Sequence, residues 1–80
     1  MKIQEIKRIS EQLDLETLKQ LEIDVLNQNP LKIEIHGEDE GEILTHVSAA
    51  IWIKEKSIAD KISIQEALRA YTQRVRKSIG

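Results

Sequence analysis

The chain has no cysteine and no phenylalanine, a single proline, three glycines and only two aromatic residues, Trp52 and Tyr71. Without cysteine there can be no disulfide, no thiolate metal site and no thiol nucleophile. Glycine occurs only at positions 37, 41 and 80, so neither a phosphate-binding loop nor a G-x-G-x-x-G dinucleotide turn can be drawn. The G-x-S-x-G elbow of a serine hydrolase is missing too. No apolar run approaches the ~20 residues of a membrane-spanning helix. The first residues lack the apolar stretch and cleavage site of a secretory signal, so a cytoplasmic protein is expected. Neither sign of charge dominates. Twelve basic and 14 acidic side chains leave a formal charge of −2, too small to draw the chain to nucleic acid or an acidic membrane.

What is present is an aliphatic, highly charged chain of 80 residues, 40% hydrophobic and 32% charged. That length holds one domain, residues 1–80, with a core of Ile, Leu, Val and Ala. A domain of this size buries only about 60% of the surface its unfolded chain exposes. With no disulfide, tight helix packing and oligomerisation are the sources of stability left to it. Charge is unevenly spread: residues 1–40 carry 5 basic and 10 acidic side chains, residues 41–80 carry 7 and 4. Such polarity favours antiparallel docking of the two halves, within one chain or between two.

Hydrophobic spacing predicts four helices. Ile3, Ile6, Ile9 and Leu13 recur every three to four residues and mark a short first helix. Asp14 is placed to N-cap a second helix, with Leu13 and Leu18 at the staple positions and Leu15, Leu18, Leu21, Val25 and Leu26 along one face. Asn27 to Pro30 end it. Leu31, Ile33 and Ile35 then alternate with Lys32, Glu34 and His36, which reads either as a short strand that pairs across a dimer or as an extended linker packed by its apolar side. The third helix is predicted over Asp39–Lys56, its acidic start favoured by the helix dipole. Ile43, Leu44, Val47, Ala50 and Ile51 share one broad face, and Trp52 lies opposite beside Thr45, Ser48 and Ala49. Ser57 to Lys61 reads as a connector. Ser63 and Glu66 form a capping-box pattern that opens the last helix, whose core face is Ile64, Leu68, Tyr71, Val75 and Ile79 and whose end is basic: Arg74, Arg76 and Lys77. The fold class is all-α, a small bundle of about four helices with one extended segment at 31–36.

Three groups of residues could carry function. Glu42 and His46, one helical turn apart, have the spacing of two metal ligands, and a symmetry mate would have to complete the site. Trp52, Thr45 and Ala49 present either a partner surface, because a helix apolar nearly all round exceeds what so short a chain can bury, or a surface that the first helix covers. Glu38 and Asp39 could form a salt-bridge network with Arg69, Arg74 and Arg76 if the third and fourth helices pack antiparallel. Arg69 and Arg76, seven residues apart, could also clamp a phosphate or a carboxylate. The acidic run at 38–42 lacks the ligand ladder of a calcium loop. Tyr71 falls on the apolar stripe, so the last helix lacks a base-reading face, and no nucleic acid is expected.

The stretches GEDEGEILTHVSAAIWIKE (37–55) and ALRAYTQRVRKSI (67–79) resemble a family of short bacterial proteins classed as a domain of unknown function. The resemblance implies a single cytoplasmic domain with no established activity, encoded near peroxiredoxin and thioredoxin genes. It draws attention to Glu38, Asp39, Glu42, Thr45, His46, Arg69, Thr72, Arg74 and Arg76. A chain with no cysteine cannot exchange thiols itself, so an accessory to peroxide defence is implied rather than a redox catalyst. The reading that results is a non-enzymatic interaction or adaptor protein acting as a homodimer, with no cofactor. The alternative is a metal- or small-ligand-binding protein using Glu42 and His46 at a subunit interface.

Overall fold

A computed structural model of the protein describes residues 2–79, with side chains through Arg76. Its elements are α1 (Ile3–Gln12), α2 (Leu15–Leu26), α3 (Glu40–Asp60) and α4 (Ile64–Ile79). The class is all-α, and no strand forms among the described residues. The side chains of Lys77 and Ile79, expected at the basic end and on the core face of the last helix, lie outside the described residues.

The helix starts follow the local chemistry. Asp14 accepts a hydrogen bond from the Thr17 N–H at 2.8 Å, Asp39 from the Glu42 N–H at 2.8 Å, and Ser63 Oγ from the Glu66 N–H at 3.1 Å. Each side-chain oxygen satisfies one of the free donors of a first turn. Those bonds from Thr17 also hold the Asp14 carboxyl below its ordinary pKa. Leu13, at the expected staple position, packs on the cluster that contains Leu18, and Ile62 packs on the cluster that contains Ala67.

The helix ends depart from expectation at α3, which runs to Asp60 rather than stopping at Lys56. Nothing in 57–60 breaks a helix: there is no Pro or Gly, and Lys56 and Asp60 form an i, i+4 ion pair at 2.6 Å. The stop comes at Lys61, which takes the left-handed conformation at φ 54°. The Ile62 N–H then turns back to the Ser57 carbonyl and Ser57 Oγ donates to the Ile62 carbonyl. α2 ends the same way, with Gln28 at φ 58° and the Asn29 N–H bonded to the Asp24 carbonyl.

α3 is the axis of the molecule. At about 1.5 Å per residue, its 21 residues match the longest extent, 32 Å. One side carries Val47, Ala50 and Ile51 into a cluster with Leu18 and Leu21 of α2 and Ile9 of α1. Another carries Ala49 and Ile53 into a cluster with Ile6 of α1 and Ala67 and Leu68 of α4. α1 lies beneath both and contributes one isoleucine to each. The apolar circumference of α3 is thus covered largely by three helices of its own chain.

The segment 31–36 is an irregular linker, bent at Lys32 and Ile33. Ile35 is buried, Leu31 and Ile33 pack on the first cluster, and Lys32, Glu34 and His36 face outward. Period-2 alternation is therefore real, but the backbone groups at Glu34 and His36 bond to side chains of α1 and α3 instead of to another strand. Gly37 follows because a Cβ there would sit 2.7 Å from Ile43 Cγ1 and 3.1 Å from the Ile43 backbone nitrogen.

Candidate functional site

Two of the three buried polar side chains among the described residues, Glu5 and His46, meet where the linker crosses α1 and α3. Glu5 is 6% exposed although it sits on a ten-residue helix. Its Oε1 accepts from Arg8 Nε at 2.8 Å, and its Oε2 from Arg8 Nη2 at 2.6 Å and from the His36 N–H at 2.7 Å. Arg8 Nη2 also donates to the Glu34 carbonyl at 3.0 Å. Ion pairing with Arg8, reinforced by the His36 N–H, outweighs the cost of burial and lowers the Glu5 pKa from 4.5 to about 2. The same pairing raises that of Arg8.

His46 completes the junction. Its ring is fully buried on α3, with Nδ1 2.8 Å from the His36 carbonyl and Nε2 3.0 Å from the Lys2 amide nitrogen. An amide can only donate, so Nε2 is the acceptor and the proton belongs on Nδ1, which donates to His36. One imidazole therefore ties the linker to α3 and caps the start of α1, where no side chain of α1 does so.

An open groove of about 560 Å³ runs past this junction, lined by Lys2, Ile3, Gln4, Glu5, Arg8 and His36. Its carboxylate is saturated and held ionised, so it is a poor proton acceptor near neutrality. No Ser, Thr or Cys is among the described residues that line the groove.

The residues expected to bind metal serve other ends. Both ring nitrogens of His46 face backbone groups, which leaves no lone pair for a cation, and Glu42 Oε1 accepts from the Glu38 N–H at 3.2 Å. Among the described residues no three His, Cys, Asp or Glu side chains gather as metal ligands. The pairing of Glu42 with His46 as ligands is corrected accordingly: helical spacing placed both one turn apart, but burial turned the imidazole inward.

The expected network of Glu38 and Asp39 with Arg69, Arg74 and Arg76 is also corrected. α4 packs against the Ala49–Ile53 stretch of α3, and among the described residues no ion pair links Glu38 or Asp39 to these arginines. Asp39 caps α3. Arg69 and Arg76 are exposed on α4, and the Arg74 guanidinium lies 5.6 Å from the centre of the Trp52 ring.

Of the three expected contact residues, Ala49 is 2% exposed beneath α1 and α4 and cannot meet a partner. Thr45 is exposed, its hydroxyl donating to the Gly41 carbonyl at 2.9 Å. Trp52 is half-buried, tilted against Tyr71 with ring centres 5.6 Å apart. Glu5 and Arg8 were not singled out from the sequence. Their opposite charges at i, i+3 were the available signal, but such pairs are common on exposed helix faces.

The chain belongs to DUF6952, a family of unknown function, with the match spanning residues 1–80. No curated protein and no solved structure matches it.

Proposed function

We propose that this member of DUF6952 is a non-enzymatic interaction protein that works as a homodimer. The supporting observation is the use to which its buried ionisable groups are put. Glu5 and His46, the side chains most suited to proton chemistry, are both bonded to the backbone of the 34–36 linker and hold it in place. Groups committed in this way are a scaffold for surfaces rather than a reaction centre. The gene neighbourhood that the resemblance implies supports a setting in peroxide and thioredoxin metabolism, which a chain without cysteine would enter as an accessory.

Sedimentation equilibrium at micromolar concentration tests the assembly: twice the 9.2 kDa chain mass is expected, and a monomer removes the homodimer. Affinity capture with wild type and with Arg69→Glu, an exposed position on α4, tests the adaptor role. A thiol peroxidase or its reductant should be enriched by wild type and lost with the variant. No enrichment over a bait-free control refutes that role.

A further inference from the structure

The smallest extent of the molecule is 18 Å, about two helix diameters of ~10 Å. One layer is α1 with the linker; the other is α2, α3 and α4. α2 and α4 both flank α3 and do not touch each other. The side of α3 turned away from α1 is therefore left open. It carries Gly41, Thr45, Ser48, Glu55 and Ala59, all exposed, and Trp52, half-buried, spaced alternately four and three residues apart. Small side chains keep this strip flat enough for another helix to approach. Ile23 and Leu26 of α2, 49% and 63% exposed, extend the apolar area.

The two edges of the strip differ in charge. Ser48 Oγ donates to Glu22 of α2 at 3.0 Å, which sets α2 along that edge; Glu55, seven residues on, shares it. The Trp52–Tyr71 contact sets α4 along the other edge, with Arg74 over the indole and Lys56 one turn further. The first edge carries Glu22 and Glu55 beside the exposed Lys19, and the second carries Arg74 and Lys56, the latter paired with Asp60, so Glu22 and Arg74 are the charges that distinguish the two.

We infer that a second copy of this chain docks on the open face of α3, about a two-fold axis parallel to that helix. Such an axis exchanges the edges, so Glu22 of each copy opposes Arg74 of the other. Ser48 and Trp52 are one turn apart, about 6 Å along the helix, a span an arginine side chain covers. The self-complementary charges name a second copy, rather than an unrelated protein, as the occupant. This inference rests on the homodimer reading above and assigns its surface.

The test is charge exchange, read by sedimentation equilibrium. Glu22→Arg and Arg74→Glu should each weaken the dimer at least about tenfold, and the double variant should return to within about threefold of wild type. Thr45→Arg, in the middle of the strip, should abolish dimerisation, with helix content by circular dichroism confirming that each variant folds. Trp52, the sole tryptophan, should shift its emission to the blue as wild type dimerises. A monomeric wild type overturns the homodimer and this surface together. A dimer indifferent to the reversals and to Thr45→Arg keeps the homodimer and refutes the surface alone.

Discussion

Replacing Glu5 by glutamine preserves its shape and removes its charge, which isolates the ion pair that fastens the linker. The native carboxylate has a pKa of about 2 against an ordinary 4.5. At about 1.4 kcal/mol per pKa unit, that difference corresponds to about 3 kcal/mol of folding stability. Arg8 is 35% exposed, and solvent screening trims the figure to about 2–3 kcal/mol. An 80-residue domain has about 4–12 kcal/mol in total, so the loss is large enough to measure by urea unfolding. Because folding lowers the pKa, the unfolded chain binds the extra proton as the solution acidifies. The contribution is complete above about pH 4.5 and disappears as the pH falls toward about 2. Wild type should therefore lose about 2–3 kcal/mol across that window in excess of Glu5→Gln, which starts lower by about that amount and shows a shallower acid limb. Taking the difference between the two proteins cancels the other carboxylates. If the stability gap stays constant from neutrality to about pH 2, Glu5 is not paired as described and the reasoning fails.

His46→Ala should cost about 3 kcal/mol or more in urea unfolding, since it opens a cavity and strands the Lys2 N–H and the His36 carbonyl. Zinc or a chelator should leave the thermal midpoint of wild type unchanged, because both ring nitrogens are already bonded; a metal-dependent rise would restore the ligand role of Glu42 and His46. Lys61→Gly relieves a left-handed backbone at φ 54° and should raise stability by about 0.5–1 kcal/mol, seen as a midpoint several degrees higher. Gly37→Ala should lose about 1–2 kcal/mol through its clash with Ile43, whereas Gly41→Ala, whose nearest atom is Asp39 Oδ1 at 3.3 Å, should lose far less.

Much of the architecture was legible in the residues themselves. Asp14, Asp39 and Ser63 mark helix starts, and the isoleucines and leucines repeat at helical spacing, because capping and amphipathicity act within a few neighbouring residues. Alternation at 31–36 correctly showed one apolar side. That the segment pairs with no strand among the described residues could not be read, since that depended on side chains as distant in sequence as Arg8 and His46 reaching its carbonyls. The end of α3 was missed because a left-handed lysine carries no compositional mark where glycine would have.

What the sequence determined alone is therefore local: four helices, their caps, an aliphatic core, and the absence of thiol and phosphate-loop chemistry. Tertiary structure decided where the polar groups went. A buried glutamate and a surface glutamate are the same letter, and only packing separates Glu5 at 6% exposure from Glu38 in solvent. Packing also brought α4 against Trp52 and Ala49, burying on one side a helix that looked too apolar for its chain. Two layers of helices can surround α3 on only three sides, which leaves the fourth open.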